Sequence, residues 1–129
     1  MILDTDFVID LMKKEENAVA KQQKLDEDHE VLMVTAPTIF ELWSGITSIK
    51  KSEGDKQKMA ALLREQIIYT LNDESAEAAG IIHGELIKKG LTIEPVDCMI
   101  AGIAKIHNKP VLTRDEYFRR IEGLKVEKY

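Results

Sequence analysis

The 129-residue sequence holds one cysteine, three prolines and only seven aromatic side chains (one Trp, three Tyr, three Phe). A lone thiol, Cys98, forms no internal disulfide, which suits a reducing compartment and leaves the fold to its core. No apolar run approaches the roughly 20 residues that span a bilayer. Met1-Ile2-Leu3 passes at once into Asp4-Thr5-Asp6, so no secretory leader or membrane anchor is expected, and the expected location is the cytoplasm. Basic charge is also short: 18 Lys and Arg against 23 Asp and Glu leave a net −5. That excludes a broad basic nucleic-acid surface, so a polyanion has to be gripped locally or through metal. Zinc finds little here, because the single Cys is joined only by His29, His83 and His107, scattered without ligand spacing.

What is present is a core. Hydrophobic residues make up 44% of the chain, and a chain of this length buries roughly two thirds of its unfolded surface. One domain over residues 1–129 is expected, with no linker or repeat. Short apolar runs at Met1–Leu3, Val31–Thr35, Ile67–Thr70, Pro110–Thr113 and Leu124–Val126 read as strands buried on both faces. Helical periods lie between them, at Phe7–Lys14, Asn17–Asp28, Thr38–Lys50, Lys58–Gln66, Ser75–Lys89 and Asp97–His107. Lys50–Lys58 reads as a loop with Gly54 and Asp55 as its turn residues. Strands alternating with helices predict a three-layer α/β/α fold around a mostly parallel sheet of four to five strands.

In such sheets ligands bind beyond the carboxyl ends of the strands. Asp4 follows the first strand and Asp115 follows "PVLT", so two strands each deliver an acid to that edge. Asp97 opens a helix and shares its face with Ile100, Ala101 and Ala104. Glu41, in "TIFELWSGI", has the small residues Thr38 and Gly45 along its own stripe, a cramped place for a solvent-facing charge. Each acid alone also reads as a helix cap, a turn residue or the partner of a surface lysine. Taken together they favour a site, since buried unpaired carboxylates cost several kcal/mol each unless a cation compensates. Their hard oxygens select Mg²⁺, Mn²⁺ or Ca²⁺.

"ILDTD", the Glu of "FEL", "PVDCMIAGIA" and "VLTRDEYF", in that order over nearly the whole chain, resemble the PIN domain, and most of all the small VapC-type toxins of toxin–antitoxin pairs. The resemblance implies a metal-dependent endoribonuclease with Mg²⁺, or Mn²⁺, as cofactor. It implies Asp4, Glu41, Asp97 and Asp115 as the acidic site, with Asp4 and Asp97 direct ligands and Glu41 and Asp115 direct or acting through water. Thr113, Thr5 and Asp6 match supporting positions, although family members more often carry Asn or Ser where this chain has Asp6. Arg114, Arg119 and Arg120 are candidate contacts for RNA phosphates, or else a solvated helix face. An RNA substrate, a cognate antitoxin that inserts a basic residue among the carboxylates, and a homodimer are implied as partners. Two alternatives compete. "DTDFVI" also resembles the start of haloacid-dehalogenase-like phosphatases, which need a lysine in the site, and a PIN fold can serve as a non-catalytic interaction module.

Overall fold

The computed structural model describes residues 1–129. In chain order the elements are β1 (Ile2–Leu3), α1 (Thr5–Met12), α2 (Glu16–Glu27), β2 (Met33–Thr35), α3 (Ala36–Ser48), α4 (Glu53–Arg64), β3 (Ile67–Tyr69), α5 (Asp73–Lys88), α6 (Pro95–Ile106), β4 (Val111–Leu112) and β5 (Val126–Glu127), with a 3₁₀ turn at Glu116–Arg120. The five strands form one all-parallel sheet in the order β3-β2-β1-β4-β5. Strand direction of travel reverses between β1 and β4, so the switch point of the sheet opens beyond the carboxyl ends of those two strands.

Side chains alternate across the sheet and build a core on each face. Ile2, Met33 and Val111, in register, point one way and pack with Ala79, Ile82 and Leu86 of α5 and Ile100 and Ile103 of α6. Leu3, Val34 and Leu112 point the other way, onto Phe7, Val8, Leu25, Leu42, Ile46, Met59 and Leu63 of α1 to α4. The three-layer α/β/α expectation therefore holds. At Gly102 the α5–α6 contact is so close that a Cβ would lie 2.7 Å from the Ser75 carbonyl oxygen and 2.8 Å from the Ala79 nitrogen. No helix is long and apolar enough to cross a membrane.

Several expected boundaries move, each for a local reason. α1, α3 and α6 start two residues early, because Asp4 and Thr35 cap directly from the strand ends and Pro95 occupies the first helical turn. Gly54 and Asp55 are not turn residues: Ser52 accepts from the Asp55 amide and starts α4 at Glu53. On α2 it is Ala18, with Leu25, that is buried, while Val19 is half-buried. β5 lies two residues later than the apolar run suggests, paired through Val126 and Glu127 with Val111 and Leu112. β3 is an edge strand whose Ile67 and Ile68 are exposed, not a strand buried on both faces.

Candidate metal centre

The switch point is a cavity of about 230 Å³ lined by Asp4, Thr5, Asp6, Ile9, Glu41, Asp97 and Asp115. Five of these seven residues are carboxylates, and none is a lysine, arginine or histidine. All four acids singled out in the sequence thus meet in one place, together with Thr5 and Asp6.

Asp4 sits between the two central strands. It caps α1, its Oδ1 accepting from the Thr5 amide at 2.7 Å, while its Oδ2 accepts from the Thr113 hydroxyl at 2.7 Å. Thr113 Oγ1 in turn accepts from the Asp115 amide at 2.9 Å, so one threonine ties the end of β1 to the end of β4. Asp115 caps the 3₁₀ turn by accepting from the Tyr117 amide at 2.9 Å. For Asp4 and Asp115 the cap and the site prove to be one and the same placement.

Glu41 is half-buried on α3, where its Oε1 accepts from the Thr5 hydroxyl at 2.6 Å. Behind Thr5 lie two more buried hydroxyls, Thr38 Oγ1 at 3.3 Å and, 3.1 Å further on, Thr35 Oγ1. This threonine chain escaped the sequence reading, in which Thr38 counted only as a small neighbour of Glu41. Asp6 stands exposed on the first turn of α1 at the cavity wall. Asp97 is half-buried in the first turn of α6, whose cap residue is Glu94 and not Asp97.

The cavity is electrostatically unbalanced. Burial, then the neighbouring charges of Asp4, Glu41, Asp115 and Asp6, push the Asp97 carboxyl up to about 7. Burial also raises Asp4, to about 6, against the lowering effect of its hydrogen bonds from Thr113 and Thr5. None of the protein's ion pairs, Lys21–Glu127, Lys56–Glu53, Arg114–Asp10, Arg119–Glu116 and Lys128–Glu116, includes a residue of the cavity lining. No protein cation in the cavity offsets these carboxylates, and their purely oxygen donors are of the kind that fit a hard divalent ion. No three acidic, His or Cys side chains converge into a ready-made cage.

The three arginines do not line the cavity. Arg119 pairs with Glu116 at 3.3 Å. Arg120 donates to the Thr92 carbonyl at 3.3 Å and lies 4.3 Å from the centre of the Tyr117 ring. Arg114 pairs at 3.0 Å with Asp10, a buried acid of α1 that the sequence reading passed over.

Known proteins resemble this chain along almost its whole length. Ribonuclease VapC2 of Rickettsia felis is 25% identical over 129 residues, covering 99% of this chain and 96% of that protein. The tRNA(fMet)-specific endonuclease VapC of Salmonella typhimurium is 25% identical over 127 residues, covering 98% and 95%. Among solved structures, VapBC2 from Rickettsia felis bound to a promoter DNA fragment superposes with a TM-score of 0.87 at 24% identity, over 99% of this chain and 97% of that one. DNA-bound VapBC from Salmonella typhimurium gives a TM-score of 0.85 at 24% identity, over 98% and 96%. The family profile described as the PIN domain matches residues 1–124, nearly the whole length of the sheet and its helices. The chain belongs to the PIN domain family.

Proposed function

We propose that this protein is a divalent-metal-dependent endoribonuclease and the toxin of a VapBC-type pair. The observation that carries the proposal is the cavity at the sheet's switch point, walled by five carboxylates with no protein cation among them. Relatives named as VapC ribonucleases, matched along almost their full length, support the same reading.

Asp4 and Asp97 would hold a Mg²⁺ or Mn²⁺ ion directly, and Glu41 and Asp115 directly or through water. The chemistry supplied by such an ion would be a lowered pKa for a bound water and charge neutralisation at the phosphodiester. The chain's own residues set the stage. Thr113 holds Asp4 against the β4 edge and Thr5 holds Glu41, each by a charge-assisted hydrogen bond at or below 2.7 Å. Both carboxylates therefore keep one orientation before metal arrives. Asp6 adds negative charge at the mouth. A phosphatase of the haloacid-dehalogenase type needs a lysine that this cavity lacks.

The test pairs two substrates with and without EDTA: a radiolabelled tRNA transcript and a small phosphomonoester. We expect metal-dependent RNA cleavage and no phosphomonoester turnover. Asp97→Asn is expected to fold and to lose at least about 100-fold in rate, in line with the weight of an electrostatic group at the reacting centre. A folded Asp97→Asn protein with full activity refutes the metal-centre reading. The cognate antitoxin is proposed to place a basic side chain among the carboxylates, and co-expression with a short reading frame sought directly upstream of the gene tests it.

A further inference from the structure

We propose that Asp10 and the Tyr129 hydroxyl hold Arg114 at the cavity rim as the contact for an RNA phosphate beside the scissile one. Arg114 lies between Thr113, which bonds Asp4, and Asp115, which lines the cavity. Its partner Asp10 sits one helical turn beyond Asp6 and next to Ile9, both cavity residues. The ion pair therefore bridges α1 and the end of β4 at the edge of the site.

The pair is lopsided in a telling way. The Asp10 side chain is 5% exposed, whereas that of Arg114 is 57% exposed. A single oxygen, Asp10 Oδ2, takes both the Tyr129 hydroxyl at 2.7 Å and Arg114 Nη1 at 3.0 Å. Tyr129 is itself fixed, its ring edge-on to the buried Phe7 at 4.7 Å, and Lys21–Glu127 pins the same chain end to α2. A guanidinium has five N–H donors in a rigid fork, and this arrangement engages one of its nitrogens while much of the group faces solvent. Arg119 and Arg120, by contrast, are engaged at the surface of the 3₁₀ turn. In a chain of net charge −5 whose active edge is acidic, one pre-fixed cation at the rim gives RNA a local foothold.

This assignment rests on the nuclease reading of the cavity, so the experiment separates the two. Steady-state cleavage of a tRNA transcript is measured over a salt series, and Mn²⁺ binding to the same proteins is measured by calorimetry. Arg114→Gln is expected to raise KM about tenfold, the weight of one hydrogen bond to a charged group. It should also flatten the slope of log(kcat/KM) against log salt by roughly 0.7 to 0.9, the loss of one phosphate contact. Mn²⁺ affinity should not change. Arg114→Lys should restore the slope but not the full KM. Asp10→Asn and Tyr129→Phe should raise KM in the Arg114 protein and have no further effect in the Arg114→Gln protein, a coupling that a merely structural role does not produce. A folded Arg114→Gln protein with the original KM and salt slope overturns the proposal and leaves the nuclease reading standing. So does a loss of rate that follows a loss of Mn²⁺ affinity. Absence of any metal-dependent RNA cleavage by the unmodified protein overturns both.

Discussion

At the residue scale, the cavity separates two kinds of carboxylate. Asp4 is held by two donors, whereas no donor offsets the burial of Asp97 and its like-charged neighbours. Its folded value of about 7, against an ordinary 3.8, means that folding favours the protonated acid. The associated stability is complete below about pH 4 and is lost as pH rises through about 7. Metal-free protein should therefore melt at a lower temperature at pH 8 than at pH 5, and Asp97→Asn should raise the pH 8 melting temperature by roughly 3–6 °C. Millimolar Mg²⁺ or Mn²⁺ at pH 8 should stabilise the unmodified protein and leave Asp97→Asn nearly unmoved. Because both acids must ionise to ligate, apparent metal affinity should climb between pH 6 and 8, with proton release measurable by calorimetry in buffers of different ionisation enthalpy. A melting temperature indifferent to metal at pH 8 speaks against the centre. The placement of Asp4, Glu41, Asp97 and Asp115 in one cavity was legible in sequence because strand ends and a helix start announce themselves. Asp10 was not, since a single acid within "FVID" carries no sign that an arginine 104 positions later meets it. The hydroxyl chain through Thr5, Thr38 and Thr35 was hidden at its long-range link: Thr35 meets Thr38 locally in the cap of α3, but only the fold brings Thr5 to Thr38.

At the element scale, helices were easier to read than their starts. α5 also starts two residues early, at Asp73, although its cap signal is plain in the sequence: Asn72 and Ser75 form a reciprocal capping box. Elsewhere Asp4 and Thr35 end a strand and cap a helix at once, and a residue with two duties hides the boundary. Strands of two or three residues are too short to show a period, which is why β5 was displaced and the exposed edge β3 passed for a core strand. The α5–α6 contact carries the sharpest mechanical prediction. Gly102→Ala places a methyl against α5 backbone at 2.7–2.8 Å, atoms that cannot swing aside. It should cost roughly 1–3 kcal/mol despite alanine's better helix propensity. Since α6 also presents Asp97, the variant should bind metal more weakly. Gly80→Ala, on α5 with no atom within 4 Å of its added Cβ, should instead stabilise by about 0.5–1 kcal/mol. Melting curves and Mn²⁺ titrations of the pair check this, and equal melting temperatures would refute the close-contact account.

At the scale of the whole molecule, a parallel sheet closed by helices on both faces leaves little reason for large apolar side chains outside. α3 nonetheless turns Leu42 and Ile46 inward while Phe40 is 66% and Trp43 37% exposed. Phe40 and Trp43 are three residues apart and share one face of the helix. The sequence resemblance implied a homodimer, and this outward aromatic pair, one of several exposed apolar sites that also include Ile81 and Ile87 of α5, is a surface such a dimer could cover. We therefore expect self-association through α3. Light scattering coupled to gel filtration should give twice the 14.6 kDa chain mass. Phe40→Glu should shift it to the monomer without lowering the melting temperature of the monomer itself, because the side chain leaves the core untouched. The Trp43 emission should then move to longer wavelength, as the indole meets water. Glu41 lies between these aromatics on the same helix and faces the cavity, so loss of the dimer should leave Mn²⁺ affinity nearly unchanged if α3 is rigid. A monomer at about 100 µM, well above the micromolar range in which a modest interface of ~8 kcal/mol assembles, would refute the dimer. A dimer that survives Phe40→Glu would move the interface to another face, with the exposed edge at Ile67 and Ile68 the next to be tested.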